Sequence, residues 1–203
     1  MALYGCDMSH WNSWENTANK DFVIIKATEG KTGVDKTLNT RKKLLNNILH
    51  GYYHYANSTK NEPYEEAEHF ISHIKDDLGN CILALDWEGN NTKHHSQDEA
   101  EWAFSWLTTV YLKTGVKPLI YINKSDLSSY GKLLKPMVAL DCGLWLADWT
   151  ATTQTSSYKY YTLPKNCPWT FAAIHQYCGN TLDLDRFNGT VEQFKKYCEV
   201  HKS

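Results

Sequence analysis

The stretch Cys81-Ile82-Leu83-Ala84-Leu85-Asp86-Trp87-Glu88 reads as a strand that turns acidic at its C-terminal end. Strand side chains alternate faces, so Leu83, Leu85 and Trp87 share one side while Ala84, Asp86 and Glu88 share the other. A helical pattern lies on each side of it in the chain. Residues 62–78 repeat Ala67, Phe70, Ile71, Ile74 and Leu78 at spacings of three and four, and residues 97–113 repeat Ala100, Ala103, Phe104, Leu107, Val110 and Tyr111 in the same way. The apolar side of the strand is therefore expected to face helices, and Ala84, Asp86 and Glu88 to face an interior.

Working outward, seven more β-branched or aromatic runs occur at 4–7, 22–26, 51–55, 118–122, 144–147, 171–177 and 182–184, with further helical patterns at 35–49 and 191–200. Strands alternating with helices imply parallel pairing through crossovers, and eight of them predict an α/β fold closed as a TIM-like barrel. The helices thin out late in the chain. Residues 150–169 are rich in Thr, Ser, Tyr and Lys without a helical stripe, and little more than Cys178-Gly179-Asn180 separates the last two strands. The barrel should be irregular in its last third, and the long segment is either a wall of the site or a solvated excursion.

The 203 residues fit one domain, 1–203, and the 21 Lys and Arg against 23 Asp and Glu give a net charge of −2. With no Lys/Arg cluster in the sequence, nucleic acid is not expected as a partner. No apolar run approaches the ~20 residues needed to cross a bilayer, so no membrane association is expected. The start, Met-Ala-Leu-Tyr-Gly-Cys-Asp, lacks the basic and apolar segments of a secretion signal, which predicts a chain made in the cytosol that leaves by another route. Cys6, Cys81, Cys142, Cys167, Cys178 and Cys198 form no Cys-x-x-Cys pair and read as free thiols.

In a parallel barrel the C-terminal strand ends build the site, and here they are acidic. Asp7 is followed by Ser9; His54, Asp86 with Glu88, Asp148, and Asp183 with Asp185 end other strands. Two carboxylates on one face of one strand cannot both ionise freely, so one pKa should rise. Glu88, nearer the mouth, is the expected proton donor, and the deeper Asp86 the group expected to stay charged. A structural pair bound to a buried cation is the alternative, with Lys26 the obvious counter-charge. If the last strand pairs with the first, Asp183 neighbours Asp7.

Four carboxylates could hold Mg²⁺ or Ca²⁺, but no alternating Asp/Asn loop with a Gly turn is present, and no metal is assigned. His69 and His73 lack the Glu of a His-Glu-x-x-His zinc motif and read as surface residues; His94 and His95 read as a loop pair. Cys6 precedes no helix that would activate it as a nucleophile and should point away from Asp7. Sequons at Asn57, Asn90, Asn123 and Asn188 are silent without secretion.

Seven blocks carry a resemblance: Cys6-Asp7-Met8-Ser9, Phe22-Val23-Ile24-Ile25-Lys26-Ala27-Thr28-Glu29-Gly30, Gly51-Tyr52-Tyr53-His54-Tyr55-Ala56, Leu85-Asp86-Trp87-Glu88-Gly89, Leu119-Ile120-Tyr121-Ile122-Asn123, Leu144-Trp145-Leu146-Ala147-Asp148-Trp149, and Gln176-Tyr177 followed by Asp183. In this order, across nearly the whole chain, they resemble glycoside hydrolase family 25, the lysozymes or N-acetylmuramidases of phage endolysins and bacterial autolysins. The resemblance implies five β/α units followed by three strands. It also implies hydrolysis, without a cofactor, of the β-1,4 bond between N-acetylmuramic acid and N-acetylglucosamine in bacterial peptidoglycan. By motif, Glu88 resembles the general acid, Asp86 its partner, and Asp7 and Asp183 the further carboxylates; Tyr53, Tyr121, Trp145 and Gln176 fall where the family places groove residues.

Two departures stand out. Only twelve residues separate Ser9 from Phe22, which should thin one barrel flank, and Asp185 stands where the family more often has Asn, which should raise the pKa of Asp183. No wall-binding domain is recognisable, so a monomer that finds its substrate through the groove alone is expected. With Asp86 orienting the substrate's own N-acetyl group the configuration is retained; with Asp183 or Asp7 activating water it inverts. The rival readings are a chitinase-like glycosidase, whose barrels also end a strand in Asp-x-Glu, and a non-catalytic peptidoglycan-binding barrel. The expected sequence of events is synthesis in the host cytoplasm and action on the wall after release.

Overall fold

Alternation along the acidic strand is what the barrel is built on. A computed structural model describes residues 1–88, 96–151, 158–180 and 182–201. The strands are β1 (Leu3–Met8), β2 (Phe22–Glu29), β3 (Gly33–Val34), β4 (Leu49–Tyr55), β5 (Cys81–Asp86), β6 (Leu119–Asn123), β7 (Gly143–Ala147), β8 (Ile174–Cys178) and β9 (Asp183–Phe187). Their order is β1-β9-β8-β7-β6-β5-β4-β2, closed by β1–β2 pairing, with the short β3 outside on β2. Pairing within the closed ring is parallel except at β9, which runs antiparallel to both β8 and β1.

Five β/α units come first. A single 3₁₀ turn at Trp14–Thr17 links β1 to β2, α1 (Leu38–Lys42) follows β3, and α2 (Pro63–Ile74) and α3 (Gln97–Thr114) flank β5. The pair α4 (Lys124–Tyr130) and α5 (Lys135–Ala139) follows β6; after it β7, β8 and β9 succeed one another without a helix until α6 (Val191–Lys196). This is the fold class read from the sequence. The thin first flank is the 3₁₀ turn, whose Trp14 packs on the outer core.

Two local expectations need correction. The helix expected over 35–49 shrinks to the five residues of α1, because Asp35 is held by β2 through its N–H to Ala27 and Asn47 adopts a left-handed φ of 73°, which an α-helix cannot continue through. The strand expected from 171 begins at Ile174. The long segment after β7 holds no helix in its described part, while residues 152–157 of it, together with Asn90, His94 and His95, lie outside the described residues.

Two cores result. Outward-facing Val23, Ile25, Leu83, Leu85 and Trp87 pack against helical Phe70, Trp106 and Leu107, whereas inward-facing Phe22, Ile24, Ile82, Ala84 and Leu119 fill the barrel. Phe194 of α6 stacks on Phe22 and Phe187, with centroids 5.4 and 5.2 Å away, and plugs the end where the parallel strands begin. The other end stays open. No described helix is long and apolar enough to cross a membrane.

A β-bulge at Ala27 shifts the β2–β4 register so that Lys26 pairs with Tyr53 but Thr28 with His54. Lys26 faces the mouth by alternation with Phe22 and Ile24, and the bulge turns Thr28 outward to meet His54, which alternates outward with Tyr52. The His54 ring is fully buried, stacked on Trp106 at 5.3 Å, and burial pushes its pKa down. It is therefore neutral, donating from Nε2 to Glu66 at 2.7 Å and accepting at Nδ1 from the Thr28 hydroxyl at 2.7 Å. Glu66, also fully buried, takes further bonds from Asn57 N and Asn61 Nδ2 at 3.1 and 2.7 Å. Losing a buried carboxylate with three donors strands them all. Glu66→Ala is expected to cost about 3 kcal/mol, lowering the melting temperature by roughly 6–12 °C in a chain of this size; a thermal melt within a degree of wild type would refute the assignment.

Candidate active site

Inward alternation delivers a layer of polar groups to the open mouth. Asp7 ends β1, Lys26 stands on β2, Tyr53 on β4, Asp86 on β5, Tyr121 on β6, Trp145 on β7 and Gln176 on β8. The antiparallel β9 meets the mouth with its first residue, so Asp183 lies opposite Asp7 in the β1–β9 register and Asp185 sits deeper, opposite Gly5 and Gln176. Glu88, two residues past Asp86, stands at the rim. A cleft of about 280 Å³ is lined by Asp7, Tyr53, Asp86, Glu88, Tyr121, Trp145, Gln176 and Asp183, together with Trp149 and Gly179. All eight candidate residues are thus gathered around one cavity. Hollows of about 440 to 490 Å³ exist elsewhere, but none collects these carboxylates.

The other strand-end polar groups are not there. His54 faces the helices, Asp148 is bound by Lys124 at 2.6 Å, and the Ser9 N–H is taken by the side chain of Asn12. Cys6 faces the outer core, and burial with the charges of Asp185 and Asp7 pushes its thiol up to about 12, which removes it as a nucleophile. All six cysteines are unpaired thiols. His69 and His73 donate to the carbonyls of Gly33 and His69. Among the described residues no three His, Cys, Asp or Glu side chains are arranged to hold a metal ion.

The floor is a hydrogen-bonded lattice. Gln176 donates to Asp7 at 2.7 Å, while its oxygen accepts from Tyr121 OH at 3.0 Å and Trp149 Nε1 at 2.9 Å. Trp145, 1% exposed, donates to Asp185 at 2.8 Å and packs edge-on against Tyr121 and Tyr53, with centroids 5.0 and 6.2 Å away. Gln176 and Trp145 therefore hold other residues in place instead of offering a free surface. Trp149 is the opposite case, 58% exposed above the cleft. A Cβ at Gly179 would lie 2.2 Å from its indole, so only glycine lets that ring rest across the β8–β9 turn. Trp149 and Gly179 were not among the candidates; an exposed tryptophan just past a strand end was the available signal.

Burial and like charge dominate the electrostatics. Burial raises Asp86 well above the ordinary carboxylate range, reinforced by Glu88 and Asp7 and opposed by Lys26. Glu88 is raised by burial and then by Asp183, again against Lys26. Asp183 is raised by burial. Asp7 is pushed up by burial and Asp183 but held back by hydrogen bonds from Gln176 and Asp185. The simple division into one raised and one ordinary carboxyl is not what the site produces; both members of the β5 pair are raised, the deeper Asp86 strongly. Asp185 also acts elsewhere than expected. Its Oδ2 is buried without a donor, and burial, reinforced by the charge of Asp7 and opposed by the Trp145 hydrogen bond, raises its pKa. Lys26 reaches Glu29 at 2.6 Å and lies over the Tyr55 ring at 4.6 Å, leaving one lysine against five carboxyls.

Residues 6–185 match the family model described as glycosyl hydrolases family 25. The chain belongs to this family. It is similar to a muramidase from Acremonium alcalophilum, at 26% identity over 97% of this chain and 98% of the other with a TM-score of 0.77. A family 25 lysozyme from Aspergillus fumigatus shares the fold, at 24% identity over 98% and 100% with a TM-score of 0.75. An uncharacterised protein, YegX of Escherichia coli O157:H7, is 30% identical over 131 residues, 59% of this chain and 47% of its own length, so the match spans about half of that relative. As a family 25 member the chain is a glycoside hydrolase, and its barrel with three late strands is the family's fold.

In this family 25 barrel the buried acids tie stability to pH. A carboxyl whose folded pKa is raised stabilises fully below its unfolded pKa, near 4, and loses that contribution as pH rises through the folded value. Asp185→Asn keeps an acceptor for Trp145 and removes the buried acid. The variant is expected to melt several degrees above wild type at pH 8, at roughly 2–4 °C per kcal/mol, and to match it at pH 4. A gain of the same size at both values would refute a raised pKa at Asp185.

Proposed function

We propose that this glycoside hydrolase is a lysozyme that cleaves the β-1,4 bond between N-acetylmuramic acid and N-acetylglucosamine in bacterial peptidoglycan. The observation that carries the reading is the pair Asp86 and Glu88 on one face of β5, lining an open cleft with both pKa values raised. The muramidase likeness and the family point to the same polymer.

Glu88, half-buried at the rim, keeps a proton and gives it to the glycosidic oxygen as the bond to the anomeric carbon breaks. Asp86 lines the cleft. An acetamido N–H donated to its carboxyl favours the ionised form, so the proton of the pair settles on Glu88. The acetamido oxygen then attacks the anomeric carbon and forms an oxazolinium, whose positive charge Asp86 stabilises. Water, deprotonated by the Glu88 carboxylate, opens the ring with overall retention. Trp149 offers an exposed face to a sugar. A second route has one specific support: Asp183 stands on β9, away from β5, where it could activate water directly and invert the configuration.

Digestion of borohydride-reduced peptidoglycan followed by mass analysis is expected to yield new muramic acid reducing ends. Glu88→Gln should lower kcat by about 10²–10⁴ with an unchanged melting temperature. Release of free amino groups instead would identify an amidase or peptidase, cleavage of soluble chitin without wall lysis a chitinase, and binding without turnover a non-catalytic barrel. The anomeric form of the first product, read by NMR, separates retention from inversion.

A further inference from the structure

The catalytic cleft does not end at Lys26. Beyond it, on the outer side of the β2 and β4 ends, lies a hollow of about 490 Å³, within the size range of small-ligand pockets, ~300–1,000 Å³. Lys26 lines this hollow and pairs in register with Tyr53 of the cleft, and Tyr55 pairs with Asp86. Lys26 lowers the pKa of Asp86 and Glu88, and Tyr55 feels the charge of both acids while lying under the Lys26 ammonium.

The hollow is basic in a chain of net charge −2. Lys26, Lys31, Lys36 and Lys60 line it. Two acids and one histidine also do so, but Glu29 is paired with Lys26, and Asp35 is occupied by His10 and Thr37. Lys31 leans to Glu65 at 3.3 Å. Lys36 and Lys60, both exposed, have no carboxylate within 4.0 Å among the described residues. The wall also carries amides. Asn57 Oδ1 is buried with no donor, and Asn61 beside it is fixed by Glu66. The left-handed Gly30, φ 53°, keeps a side chain out of the space next to both. The site thus presents cations for carboxylates.

We propose that this hollow binds the anionic stem peptide carried by the muramic acid residue at the cut bond. The inference rests on the muramidase reading. That peptide is joined through a lactyl ether to the sugar whose anomeric carbon reacts, so it starts one ring away from Glu88 and must leave the cleft beside it. Its carboxylates suit Lys36 and Lys60, which are exposed in the hollow. A polyphosphate of the wall would also satisfy the lysines, but only the peptide is tethered to the reacting sugar. Catalysis does not need these contacts; they select peptide-bearing glycan.

The test compares intact peptidoglycan with the same glycan stripped of its peptides by an amidase. For the full chain carrying Lys36→Glu and Lys60→Glu, KM for the peptide-bearing substrate is expected to rise about tenfold, with kcat retained and the stripped substrate cleaved as by wild type. Free stem peptide should inhibit the wild type and not the variant. Equal effects on both substrates, or no effect on either, overturn the proposal, and inhibition by poly(glycerol phosphate) but not by peptide reassigns the hollow to a wall polyanion. If wild type releases no reducing ends from either substrate, the muramidase reading itself fails.

Discussion

Five carboxyl groups, Asp7, Asp86, Glu88, Asp183 and Asp185, converge on one end of a barrel whose interior, among the described residues, offsets them with Lys26. At short separations in a poorly solvated site they cannot all be charged, so protons must stay on some of them at pH values where free carboxylic acids have lost theirs. Every other feature of the mouth answers to that constraint. Gln176 gives Asp7 a neutral donor, Trp145 gives Asp185 another, and Lys26 offsets the pair on β5. The site is costly to fold and ready to give a proton away, and the two properties have one origin.

Topology decides how the acids meet. A parallel strand reaches the mouth with its last residues, an antiparallel one with its first. Because β9 is inserted antiparallel between β8 and β1, Asp183 at its start lies at the same level as Asp7 at the end of β1, and Asp185 lies one layer down. The same insertion explains why no helix lies between β8 and β9, since a hairpin needs no crossover. The irregular third of the barrel is the third that adds acids to the mouth.

Much of this was legible. Period-two alternation in 82–88 put Asp86 and Glu88 on one face, and closure of the eight strands put Asp183 beside Asp7. What stayed hidden depended on three-dimensional details without a local signature. The bulge at Ala27 turns Thr28 outward to meet His54, so a histidine near a strand end became part of a buried network in the outer core. The left-handed Asn47 cut short an apparently helical stretch. Gln176 matches a groove residue by position, yet the bonds it makes to Tyr121, Trp149 and Asp7 come from three separate segments. Likewise Lys26, Lys31, Lys36 and Lys60 form no run in the chain and become a basic surface only when β2 and β4 lie side by side.

The acidic mouth and the basic hollow also constrain each other. An anionic ligand approaching five carboxyls meets repulsion unless some are protonated or a cation screens them. Lys26 stands between the two regions, its ammonium shared among Glu29, the Tyr55 ring and the field of the β5 acids. A carboxylate held on the Lys36 and Lys60 side is thus separated from Glu88 by a positive charge. Lys26, directed inward by alternation with Phe22 and Ile24, keeps the two functions of the mouth electrostatically apart: protonating an uncharged sugar oxygen on one side and holding a charged chain on the other.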